Sequence, residues 1–228
     1  MTDNLLLLPG LICDARLWRD VTGELDVTAL VADLTQDDSI AAMARRALAD
    51  APERFALAGL SMGGYVALEI MRQAPGRVTH LALLDTSARA DDEAKRETRR
   101  KGIALAQEGK FIGVSQRLLP NLLAPQHVGT PIAAEVQAMS ERVGQAAYVR
   151  QQTAIMNRID SRPSLAAIAV PTLVGVGEAD ELTPLPMAEE MAAAIPGAEL
   201  MVFADSAHLP PMENPASVVA ALRGLLAR

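Results

Sequence analysis

The sequence predicts an α/β fold: a mostly parallel sheet of about six strands, helices on both faces, and a helical segment inserted before the last two strands. Three observations carry this. Short apolar runs alternate with helical periods as far as residue 86, the mark of βαβ crossovers. The apolar runs are continuous rather than alternating, as strands buried on both faces require. The alternation stops there and resumes after residue 163. Residues 1–86 and 164–228 are therefore expected to form the sheet-bearing core, and 87–163 a helical cap.

Taken in order, residues 5–8 (four leucines) read as the first buried strand, and Pro9-Gly10-Leu11 turns out of it. Residues 14–25 read as a helix with Leu17, Trp18 and Val21 on one side, and 27–32 as a second strand. Ser39 caps a helix over 40–51 that stops before Pro52. Residues 55–60 form a third apolar strand, 62–74 a helix buried through Val66, Ala67, Ile70 and Met71, and 78–84 a fourth strand. In the insertion, 91–107, 112–119, 131–143 and 146–158 all read as helices. Residues 171–177 and 199–203 read as strands, each followed by a helix, over 184–194 and 215–227.

Composition narrows the function. With 228 residues, half of them hydrophobic and 21% charged, the chain suits one sizeable globular domain. Aromatics are only 3%, so Ala, Leu, Val and Met must build the core. A net charge of −7 argues against nucleic acid or an anionic membrane as the main partner. The single cysteine, Cys13, rules out an intramolecular disulfide and fits a reducing compartment. The Leu5–Leu8 run follows Asp3 and ends at Pro9-Gly10, too short for a signal-peptide core or a membrane span, so the expected location is the cytoplasm.

Gly59-Leu60-Ser61-Met62-Gly63 has the G-x-S-x-G pattern. That pattern arises by chance in roughly one chain of this length in ten, so its place at a strand-to-helix junction carries the weight. A serine on such a sharp turn is pushed out of the sheet, where a base and a carbonyl carbon both reach it. The helix behind it aims N–H groups and a positive dipole end at a developing oxyanion.

A serine nucleophile needs a base, and the base needs a carboxylate to fix its tautomer. Of three histidines, His80 opens a buried strand and His127 lies in the insertion. His208 follows the last strand, on the sheet edge that carries Ser61. The acid belongs between them in chain order. The loop after the penultimate strand offers Glu178, Asp180 and Glu181, and Asp180 is best spaced to clear the sheet, with Glu181 stabilising the next helix. Asp85 is the reserve acid. The backbone N–H groups of Leu11 and Met62 are the expected oxyanion pair, and Gly10 would let the chain pass close to the substrate.

With Leu-Pro-Gly10, Gly59-Leu-Ser-Met-Gly-Gly64, Gly177-Glu-Ala-Asp180 and Ala207-His-Leu-Pro210 in this order, the chain resembles the α/β-hydrolases over essentially its whole length, in particular the small capped serine esterases. Many members carry His-Gly where this chain has Pro9-Gly10, and the usual antiparallel strands at the start of the sheet have no counterpart. The resemblance implies a Ser61–His208–Asp180 triad, a helical cap roofing the pocket, and no metal or organic cofactor. It implies hydrolysis of a small or medium carboxylic ester through an acyl-enzyme on Ser61. Thioesterases, C–C hydrolases, perhydrolases and lyases use the same triad, whereas a non-catalytic binding protein of this fold would need neither His208 nor Asp180.

Weaker signals remain. Residues 91–101 mix charges at helical spacing, with Asp91–Lys95 and Asp92–Arg96 as expected i,i+4 pairs on a solvated face. The sharper alternative is a basic rim at Arg96, Arg99, Arg100 and Lys101 that receives an anionic substrate tail or a carrier protein. Cys13 reads as a buried thiol, and Met139, Met156, Met187 and Met212 chiefly as core.

Overall fold

The structure, a computed structural model, describes residues 3–228. Its strands are β1 (Asp3–Leu8), β2 (Val27–Val31), β3 (Phe55–Leu60), β4 (Val78–Leu84), β5 (Thr172–Gly177) and β6 (Glu199–Phe203). They form one sheet in the order β2-β1-β3-β4-β5-β6, with every pairing parallel. The helices are α1 (Arg19–Thr22), α2 (Ile40–Asp50), α3 (Met62–Gln73), α4 (Glu93–Leu105), α5 (Pro131–Met156), α6 (Leu185–Ala194), α7 (Pro210–Glu213) and α8 (Pro215–Leu226). Among the described residues none is long and apolar enough to cross a membrane.

The strand order explains where a site can form. Order reverses between β1 and β3, so the loops leaving these two strands diverge and open a crevice at their carboxyl ends. The continuous apolar runs feed two cores, one on each face. Leu6 and Leu8 join Met43, Val66 and Ile70 from α2 and α3, while Leu5 and Leu7 join Leu17, Trp18 and Val21 with Val218 and Leu222 from α8. Each fully buried leucine of β1 contributes about 2 kcal/mol by leaving water.

Five departures from expectation have physical causes. The helix expected over 14–25 is a 3-10 turn (Ala15–Trp18) plus the short α1, stopped at Gly23. Of residues 112–119 only Leu119 is helical, at the start of a 3-10 turn (Leu119–Asn121), and at Val114 side chains of α5 take both backbone groups. The Val114 N–H donates to Ser140 Oγ at 2.9 Å, and Gln137 Nε2 donates to the Val114 carbonyl at 3.0 Å. The two helices expected over 131–143 and 146–158 are one element, α5, kinked at Gly144, whose φ of +76° is left-handed and suits glycine. Asp91–Lys95 and Asp92–Arg96 do not pair as expected. Asp92 is the N-cap of α4, accepting from the Lys95 N–H at 2.8 Å, and Asp91 lies outside the helix. The unanticipated α7 is described with the site.

Close packing at the turn after β3 leaves no room for a side chain. A methyl on Gly63 would overlap the Leu8 carbonyl oxygen. Gly63→Ala is therefore expected to lower stability by about 1–3 kcal/mol, read as a lower midpoint in urea with an unchanged slope.

Candidate active site

Ser61 occupies the turn between β3 and α3 with φ +54° and ψ −115°, a strained conformation for a residue with a side chain. The surroundings hold it there. Its N–H donates to the Leu84 carbonyl at 2.9 Å, and its carbonyl accepts from Thr86 Oγ1 at 2.7 Å. All four non-glycine residues with positive φ among the described residues, Ile12, Ser61, Asp85 and Asp205, lie just beyond the carboxyl ends of β1, β3, β4 and β6. Backbone strain is thus concentrated on one sheet edge.

His208 leaves the loop after β6 and reaches Ser61 there. Its Nε2 lies 2.9 Å from Ser61 Oγ, and its Nδ1 lies 2.9 Å from Asp180 Oδ2. Asp180 is 4% exposed, whereas Glu178 and Glu181 are exposed. Asp180 also accepts from Thr183 Oγ1 at 2.6 Å, from the Leu182 N–H at 2.8 Å and from the Thr183 N–H at 3.2 Å. Burial alone would raise its pKa, but the His208 ring and the Thr183 donors outweigh burial and hold it at about 2. Hydroxyl, imidazole and carboxylate are thus linked in the order that lets the imidazole take the hydroxyl proton while the carboxylate steadies the resulting cation.

Met62 is the first residue of α3, where no intrahelical acceptor exists for its N–H. Gly10 and Leu11 face Ser61 across the crevice and, with Ser61 and His208, line a cavity of about 980 Å³. The cavity lies between the sheet edge and the segment joining β4 to β5, and its wall includes Leu60, Leu118, Val136, Met139, Ile155 and Leu209. Cys13 also lines it, but burial, followed by the charge of Asp14, pushes its thiol up to about 12, which keeps it neutral. Met187 faces the cavity too, and Met212 packs in the core.

The basic segment is largely neutralised. Arg100 pairs with Glu93 and Glu97, and Lys101 lies 3.7 Å from Glu97. Arg99 pairs at 2.5 Å with buried Asp91, which also meets Arg158 at 2.8 Å, and Arg99 Nη1 donates to Gln152 Oε1 at 2.6 Å. Burial would raise the Asp91 pKa, but the two guanidinium groups hold it below the usual carboxylate range. Arg96 is half-buried.

Two side chains that sequence reasoning missed organise the loops. Gln151 of α5, fully buried, accepts from the Ile12 N–H at 2.9 Å and donates to the Leu34 carbonyl at 3.1 Å, so it pins the loop after β1. Glu213 of α7 accepts from the N–H groups of Ala207 and Leu209, both at 3.0 Å, with one oxygen and from that of Ala124 at 2.6 Å with the other. Those bonds flank His208, whose own N–H donates to the Leu122 carbonyl at 3.1 Å. The other two histidines lie elsewhere: His80 Nδ1 is 3.1 Å from Thr79 Oγ1, and His127 Nε2 is 3.2 Å from the Asp205 carbonyl. The one grouping among the described residues with metal-ligand spacing is Asp85, Asp180 and His208, and hydrogen bonds already engage all three.

This fold and this linked trio define the chain's class, and a family model supports the same conclusion independently. The alpha/beta hydrolase family model matches residues 5–222, and the chain belongs to that family. Its relatives include the pimeloyl-[acyl-carrier protein] methyl ester esterase of Edwardsiella ictaluri, 27% identical over 235 residues, covering 96% of this chain and 91% of that protein. The enzyme of the same name from Vibrio parahaemolyticus is 25% identical over 223 residues, covering 91% of this chain and 88% of its own. Among solved structures, a thermophilic esterase from Thermogutta terrifontis superposes with a TM-score of 0.89 at 28% identity, covering all of this chain and 90% of that one.

Proposed function

We propose that the protein is a carboxylic ester hydrolase in which Ser61 is the nucleophile, His208 the general base and acid, and Asp180 the carboxylate that orients His208. The observation that carries this is the continuous Ser61–His208–Asp180 linkage at 2.9 Å and 2.9 Å. His208 takes the Ser61 proton as Oγ attacks the ester carbonyl, and the Met62 and Leu11 N–H groups receive the oxyanion. His208 then protonates the leaving alcohol, and water repeats the sequence on the acyl-enzyme. Residues 87–163 act as the cap over the cavity, whose apolar wall suits a small or medium acyl chain. The names of the Edwardsiella and Vibrio relatives extend the reading to an acyl group carried on a carrier protein.

A fluorophosphonate probe tests the class. One adduct per chain is expected at Ser61 and none on Ser61→Ala, with p-nitrophenyl esters hydrolysed faster as the acyl chain grows from acetate to medium length. No adduct on the wild type would leave a binding protein of this fold. An adduct without ester turnover would point to the lyase or C–C hydrolase uses of the triad. Comparing a free methyl ester with its carrier-linked form then reads the carrier part of the proposal.

A further inference from the structure

Asp85 is an acid that the proposed reaction does not use, yet the fold takes trouble to aim it. It follows β4 with φ +45°, its N–H donates to the Gly175 carbonyl at 2.9 Å, and it is 1% exposed. Its Oδ1 accepts from the Gly177 N–H at 2.7 Å, whereas its Oδ2 is buried with no partner acting as donor to it. The ligand atoms of Asp85, Asp180 and His208 lie within 4.8 Å of one another. Two ionised carboxylates cannot sit face to face in so dry a place at acceptable cost, so one of them keeps a proton. Asp180 already accepts from His208, Thr183 and Leu182, which favour its charged form. Asp85 has a single donor and faces the charges of Asp180 and Glu213. Burial first, then Asp180, push its carboxyl well above the usual carboxylate range.

We propose that Asp85 is a positioning residue that remains a neutral carboxylic acid at working pH and donates its Oδ2 hydrogen to the Asp180 carboxylate, keeping that group ionised and aimed at His208. The titratable groups facing Asp85 are Asp180, His208 and, more remotely, Glu213. This inference rests on the serine-hydrolase reading above, and it adds a proton that the reading does not require.

Asp85→Asn and Asp85→Ala separate the outcomes. Asparagine keeps an oxygen for Gly177 and supplies an N–H toward Asp180, so kcat is expected within about threefold of wild type, with the acid limb of the kcat/KM profile unmoved. Alanine removes the donor and is expected to lower kcat about 10- to 100-fold with KM little changed. A shift of the Asn variant's acid limb to lower pH would mean that Asp85 is charged, because losing a nearby negative charge disfavours a protonated base. A collapse of Asn activity as deep as that of Asp180→Asn would make Asp85 the working carboxylate, and wild-type activity in Asp85→Ala would remove its role. Should the Ala variant not fold, the infrared spectrum decides. The wild type at neutral pH should show the C=O stretch of a protonated carboxyl that Asp85→Asn lacks, and absence of that band overturns the proposal. Because the infrared readout needs no turnover, it stands apart from the fluorophosphonate test, whose failure would sink the hydrolase reading alone.

Discussion

His208→Ala is expected to lower kcat for a p-nitrophenyl ester by roughly 10⁴- to 10⁶-fold while the protein stays folded. The imidazole is the one group that joins the Ser61 hydroxyl to the Asp180 carboxylate, at 2.9 Å on each side. Truncation leaves the Ser61 proton without an acceptor in line with attack. The loop does not depend on the ring, since the His208 N–H is held by Leu122 and its neighbours by Glu213. Thermal unfolding should therefore begin within a few degrees of wild type. Combining the change with Ser61→Ala should cost little more than either alone, because the two groups act as a unit. Retention of turnover, or loss of the folded state, would count against the assigned role.

Asp180→Asn should cost about 10⁴-fold in kcat, because an amide lets the imidazole settle in the wrong tautomer. It also has a stability signature whose sign follows from the shift. The Asp180 pKa is lowered to about 2 in the fold, against 3.8 without the fold's influence. A carboxylate depressed in this way stabilises the folded state above its unfolded value, and that contribution is lost as pH falls through its folded value. At 1.36 kcal/mol per pH unit, the contribution is on the order of 2 kcal/mol. Urea titrations from neutral pH down toward pH 2 should show wild type losing more stability than Asp180→Asn. Asp85, raised rather than lowered, works in the opposite sense, and its ionisation costs stability as pH rises. Equal acid sensitivity in wild type and variant would mean that Asp180 is not held ionised by His208.

The sequence made legible what local chemistry dictates. Four leucines in a row specify a strand buried on both faces, and G-x-S-x-G at the end of another such strand specifies the turn that carries Ser61. His208 and Asp180 could be chosen because parallel strands deliver their loops to one edge, so chain order alone puts them beside Ser61. What stayed hidden was long-range and directed at the backbone. Gln151 reaches Ile12 across 139 positions and Glu213 reaches Ala124 across 89, and no spacing rule links a side chain to a main-chain group so far away. Residues 112–119 misled for a similar reason, since Ser140 and Gln137 of α5 take both backbone groups of Val114 in the middle of the stretch. The Asp91–Lys95 pair is unmade because α4 starts two residues later than its charge pattern suggests, at Glu93, which leaves Asp91 outside the helix and paired with Arg99 and Arg158.

The Glu213 carboxylate joins two things that a looser design would keep apart. One of its oxygens holds the strand-end loop on both sides of His208, and the other holds Ala124, within the segment joining β4 to β5. Displacing the backbone at Ala124 would take a donor from a buried carboxyl group, and the loss would fall on the same clamp that holds the loop around His208. One buried side chain therefore ties the backbone at Ala124 to the backbone on either side of His208, so a change at Glu213 would be felt in both places at once.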